Sequence, residues 1–72
     1  MKFNIQAIKT NSRKVYDILL RYTRCSFGEL EKRCNLASTD LCMALLQLLR
    51  ENKIEQVSGQ QGIYYRLAAV TA

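Results

Sequence analysis

Seventy-two residues, nearly half of them hydrophobic, can build one small core and leave no room for a second. Eleven Lys and Arg against six Asp and Glu give a net charge of +5, which favours a polyanionic partner. No apolar run approaches the roughly 18 residues of a membrane span, and nothing behind Met1 reads as a signal-peptide core.

The charge is uneven. Lys2, Lys9, Arg13, Lys14, Arg21 and Arg24 stand against Asp17 alone in residues 1–24, and the rest of the chain is balanced. Cys25, Cys34 and Cys42 are odd in number and widely spaced, which argues against a disulfide framework and places the chain in the cytoplasm. With no histidine beside them, no metal site is expected; the three thiols read as small core residues, with Cys42 the most exposed. No phosphate-cradling glycine loop, paired carboxylates or nucleophile–base motif can be named, so neither an enzyme nor a cofactor is expected.

In chain order, residues 1–11 read as an arm. Phe3, Ile5 and Ala7 alternate with Asn4 and Gln6 as a short strand would, or the segment frays. Thr10-Asn11-Ser12 offers N-cap oxygens for a first helix over about 12–23, which buries Val15, Ile18, Leu19 and Tyr22. Its other face carries Arg13, Lys14, Asp17, Arg21 and Arg24, either a solvated stripe or a phosphate contact. Ser26-Phe-Gly-Glu29 has capping-box spacing and starts a second helix over about 27–34, with Phe27, Leu30 and Cys34 inward. Asn35 tolerates the left-handed conformation that ends a helix, Leu36 plugs the turn, and Ser38 or Thr39 caps the next helix.

The third helix, about 38–51, carries the strongest signal. Leu41, Ala44, Leu45, Leu48 and Leu49 form one apolar stripe, opposite a small mixed face of Thr39, Met43, Leu46, Gln47 and Arg50 with Asp40 at its edge. After Asn52-Lys53, two strands around the loop Ser58-Gly-Gln-Gln-Gly62 make a hairpin over about 54–67, with Ile63, Tyr65 and Leu67 on one face and Tyr64 and Arg66 on the other. Residues 68–72 form a tail.

Phe27-Gly-Glu-Leu-Glu-Lys-Arg-Cys-Asn-Leu-Ala-Ser-Thr-Asp40, Ala44-Leu-Leu-Gln-Leu-Leu-Arg-Glu-Asn-Lys-Ile54 and Gly62-Ile-Tyr-Tyr-Arg-Leu67 give an order of elements that resembles the winged helix-turn-helix family. The resemblance covers about residues 12–67. It implies a single α+β domain over 1–72, three helices plus a C-terminal β-hairpin wing. The size is similar to that of small stand-alone bacterial or phage transcriptional regulators, including those of fimbrial operons. Such a protein binds double-stranded DNA and occupies or bends a promoter without catalysis, here as a homodimer or beside a partner protein.

The resemblance puts the third helix in the major groove and the wing on the backbone or in the minor groove. The base-contacting candidates are then Thr39, Asp40, Met43, Gln47 and Arg50, and the backbone candidates Arg13, Lys14, Ser38, Lys53, Gln60 and Gln61. Lys32 and Arg33 are further sources of phosphate contacts. Two features depart from a strong reader: Arg50 is the sole cation on the reading face, and none lies between Ser58 and Gly62 in the wing. Met43 and Leu46, with Tyr16 and Leu20 on the first helix, suggest instead a protein-interaction module with weak or no DNA binding. A blander expectation covers Leu46 with the wing, and Tyr16 and Leu20 with the arm.

Overall fold

The computed structural model describes residues 4–69. Three helices, α1 (Ile5–Tyr22), α2 (Phe27–Cys34) and α3 (Ser38–Arg50), combine with three strands, β1 (Arg24–Ser26), β2 (Ile54–Gly59) and β3 (Gly62–Leu67). The fold is α+β, a helix-turn-helix followed by a hairpin wing.

α1 begins well before the expected cap. The Asn4 side chain accepts from the N–H groups of Gln6 and Ala7, at 2.9 and 3.3 Å, and so caps the helix. Residues 5–11 are therefore helical, which corrects the arm over 1–11; residues 1–3 lie outside the described segment. The buried positions Ser12, Val15 and Leu19 keep helical spacing with half-buried Ile8, and that period overrides a strand-like alternation only a few residues long. Ser12 caps nothing. Its hydroxyl donates to the Ile8 carbonyl at 2.7 Å, which is how a serine is accommodated inside a helix.

Tyr22 also departs from expectation. It lies at the helix end, 45% exposed, with the Arg33 guanidinium 3.9 Å from its ring centre. Thr23, the C-cap, has φ 66°, a conformation that a β-branched residue rarely adopts, and it turns the chain sharply into β1.

β1 is the element missing from the sequence reading. It adds to the hairpin in the order β1-β3-β2, all antiparallel, with Cys25 opposite Tyr65 and Gln56 opposite Tyr65 on the other side. Cys25 is thereby buried in the core. Ile54, Tyr65 and Leu67 share its face of the sheet and cover the helices, whereas Ile63 lies further toward the wing tip and is exposed.

The capping box of α2 forms in full. Glu29 N–H donates to the Ser26 hydroxyl at 3.2 Å and Ser26 N–H to the Glu29 carboxylate at 2.9 Å. That backbone bond holds the Glu29 carboxyl below its ordinary range against the opposing effect of desolvation, with the Ser26 hydroxyl, Arg33 and Arg24 adding to it. A depressed carboxylate contributes stability above its unfolded value and loses it as pH falls through the folded value, so this contribution disappears in acid. Ser26→Ala should cost about 1 kcal/mol, read as a lower urea midpoint at unchanged slope.

Asn35 closes α2 in the left-handed conformation, at φ 54° and ψ 47°, and half-buried Leu36 packs on the core. α3 then starts without the expected side-chain cap. Ala37 holds the N-cap position, and the Ser38 hydroxyl donates instead to the Glu31 carboxylate at 2.6 Å, tying α3 to α2. Leu41, Ala44, Leu45 and Leu48 are buried among Val15, Leu19, Leu30, Cys34 and Ile54. α3 is the element around which the core closes, and its most extensive helix partner is α1.

Candidate nucleic-acid interface

Because α3 buries Leu41, Ala44, Leu45 and Leu48, its 100° step turns Thr39, Met43, Leu46 and Arg50 directly outward. Thr39 and Arg50 are exposed, and neither makes a side-chain hydrogen bond or ion pair among the described residues. Asp40 is likewise exposed. Met43 is half-buried. Leu46 is 50% exposed, so the wing does not cover it as the bland expectation required; the hairpin packs on the flank carrying Cys42 and Leu49.

Gln47 lies on the opposite flank, toward α1, and its amide donates to the Glu51 carboxylate at 3.1 Å. Glu51 also pairs with Lys53 at 3.6 Å. Two of the residues proposed for DNA thus already hold one carboxylate between them. An adenine edge needs both the amide oxygen and the amide nitrogen, so base reading by Gln47 requires its bond to Glu51 to open. Ser38 is similarly engaged with Glu31.

The wing is an extended hairpin that turns at Gln60 and Gln61, both exposed, with Gly62 at φ 122° completing the turn. Its tip carries no cation, yet two arginines stand beside it. Arg24 on β1 and Arg33 on α2 line the same cleft as Gln60, Gln61, Tyr22 and Tyr64. Arg33 is committed: its Nη1 donates to Cys25 Sγ at 3.1 Å, lies 3.5 Å from Glu29, and the guanidinium covers Tyr22. These contacts, the Cys25 bond first, raise its already high pKa. Arg24 is less constrained. It sits directly across from Arg66, which Glu55 neutralises at 2.9 Å, and lies 5.1 Å over the Tyr64 ring.

Sequence reasoning missed Arg24 as a neighbour of the wing because it placed that residue on the outer face of the first helix, at its end. The polar–apolar–polar alternation of Arg24-Cys25-Ser26 was the available signal, and it spans three residues.

Of the seven cations that make no ion pair among the described residues, four lie on α1 and the others are Arg24, Lys32 and Arg50. Lys9, Arg13, Lys14 and Arg21 are exposed and make no ion pair among the described residues, whereas Arg33, Lys53 and Arg66 each pair with a glutamate. A groove between α1 and α3 takes in Lys9, Arg13, Tyr16, Leu20 and Gln47. Tyr16 is half-buried there and Leu20 is 58% exposed, so among the described residues no arm covers them; Met43 and Leu46 do not line this groove. The four residues of the alternative protein interface therefore belong to two different places.

The family model described as a winged helix-turn-helix domain (DUF2582) matches residues 1–67. Among curated proteins, none matches the chain. Among solved structures, protein BT2368 from Bacteroides thetaiotaomicron, determined by NMR in solution, is 26% identical with a TM-score of 0.78, covering 86% of this chain and 76% of that one. The Zalpha domain of PKZ from Carassius auratus, crystallised in complex with Z-DNA, is 20% identical with a TM-score of 0.74, covering 85% of this chain and 97% of that one.

Proposed function

The chain belongs to the winged helix-turn-helix (DUF2582) family, and on that premise we propose that it is a sequence-specific double-stranded DNA-binding regulator of a bacterial or phage operon. Domains of this kind are commonly DNA-binding and typically not enzymes. The observation that carries the reading is the distribution of unpaired charge. Glutamates neutralise Arg33, Lys53 and Arg66, while Lys9, Arg13, Lys14 and Arg21 remain open on α1 beside the helix whose outer face presents Thr39, Asp40 and Arg50.

In this reading Thr39, Asp40, Met43, Gln47 and Arg50 meet base edges. Arg13, Lys14, Ser38, Lys53, Gln60 and Gln61 hold the backbone, Ser38, Gln47 and Lys53 exchanging their carboxylate partners for DNA. Regulation arises from occupancy or bending of a promoter in the cytoplasm, as in small regulators of the fimbrial-operon kind. The Z-DNA complex of the Carassius auratus domain supports a nucleic acid duplex as a ligand class for this architecture.

The test is selection of bound duplexes from a random pool. The wild type should enrich a short motif, and Arg50→Ala should relax it at the contacted position by about 1–3 kcal/mol, roughly five- to 150-fold. Enrichment of no motif would remove the sequence-specific part of the reading. The half-exposed Leu46 favours one alternative, a protein-interaction module. That reading wins if Leu46→Glu leaves the fold and DNA affinity intact but abolishes the cellular phenotype.

A further inference from the structure

Two arginines face each other across the sheet. Arg24 on β1 and Arg66 on β3 are directly opposed, so their side chains share its outer face. Like charges in that position repel and destabilise the strand pair. Glu55, opposite Arg66 on β2, neutralises only one of them, at 2.9 Å. Arg24 is exposed and makes no ion pair among the described residues.

Its place is fixed nonetheless. Tyr64 stands on the same face, one diagonal step nearer the wing tip, and the Arg24 guanidinium lies 5.1 Å from its ring centre. The ring leans toward the tip in turn. Tyr64 pairs with Val57, yet a methyl group at Gly59, two residues further along β2, would meet the ring Cε1 at 3.3 Å. Glycine there leaves the ring its room, and the ring holds Arg24 tipward, in the cleft that Gln60 and Gln61 also line. The one carboxylate lining that cleft, Glu29, is already taken by the Ser26 N–H and by Arg33. An anion entering there meets an open guanidinium and two amides.

We propose, resting on the DNA-binding reading above, that Arg24 binds a backbone phosphate of the duplex that α3 reads, and so supplies from β1 the cation that the wing tip lacks. A guanidinium grips a phosphate through two parallel N–H donors, and the glutamine amides beside it add neutral ones. Tyr64 is a positioning residue: its ring face holds the guanidinium over the cleft without neutralising it, as a carboxylate would. The repulsion between Arg24 and Arg66, costly in the free protein, is relieved once a phosphate lies on Arg24. Such a contact carries no base information, so Arg24 adds affinity for every sequence alike.

The test is a salt series of fluorescence-anisotropy titrations of labelled duplexes with full-length variants. Arg24→Gln should flatten the slope of log affinity against log salt by about 0.9 and weaken binding of all duplexes about tenfold at about 50 mM salt. Its urea midpoint should not fall, because the substitution also removes the repulsion with Arg66. Arg66→Gln makes the same change in net charge on the same face and should leave the slope near that of the wild type. Tyr64→Leu should weaken binding several-fold, and Tyr64→Phe, which keeps the ring, should bind as the wild type does. Wild-type binding with an unaltered slope in folded Arg24→Gln overturns this inference alone, as does an equal loss of slope in Arg66→Gln. A wild type that binds no duplex overturns the DNA-binding reading and this inference with it.

Discussion

Leu41→Ala is expected to destabilise the domain by about 3–4 kcal/mol, the range for a fully buried leucine whose neighbours cannot close the cavity. Leu41 has no exposed surface and lies in the first turns of α3, in the cluster with Ala44, Leu45 and Leu30. A chain of this length has a total stability of only roughly 4–10 kcal/mol, so the variant should lose about a third or more of it and unfold at a much lower urea concentration. Leu46→Ala, on the same helix but half exposed, should cost at most about 1 kcal/mol. Urea titration monitored by circular dichroism separates the two. Equal losses would mean that α3 does not organise the core.

The second large effect concerns salt. If about four cations per chain meet phosphates, raising monovalent salt from about 50 to 200 mM should weaken DNA binding by about two orders of magnitude. Removing Arg13 and Lys14 together should flatten the slope of log affinity against log salt by about two and weaken binding to all duplexes alike. Both side chains are exposed on α1 and unpaired among the described residues, so their loss should leave the fold intact. An unchanged slope would remove α1 from the DNA contact.

Much of this architecture is legible in the sequence because the signals are local. The 3.6-residue stripe of α3, the capping box at Ser26 and Glu29, and the left-handed Asn35 all lie within a few residues of what they specify. The start of α1 is not legible in the same way. Thr10-Asn11-Ser12 has the chemistry of a cap, but burial of Ser12 and its bond to the Ile8 carbonyl absorb that chemistry inside the helix. β1 is illegible for the opposite reason: three residues become a strand only because Tyr64, Tyr65 and Arg66 arrive beside them from the far end of the chain.

The interface divides in the same manner. That Thr39, Met43 and Arg50 share the outer face of α3 is helix arithmetic. That Ser38 is held by Glu31 and Arg24 stands beside the wing depends on contacts between elements, which no periodicity reports. The consequence is functional. Three of the eleven residues proposed for DNA, Ser38, Gln47 and Lys53, are engaged by carboxylates, so binding should begin with Arg13, Lys14, Thr39 and Arg50 and recruit the engaged groups afterwards.

The most direct measurement is a fluorescence-anisotropy titration of labelled duplex DNA with the full chain at about 50 mM salt, repeated at several salt concentrations. Saturable binding is expected, with log affinity falling linearly with log salt at a slope of about −4, steeper than for the Arg13→Ala, Lys14→Ala double variant. Absence of binding to any duplex at low salt, by a chain shown to be folded, would contradict it.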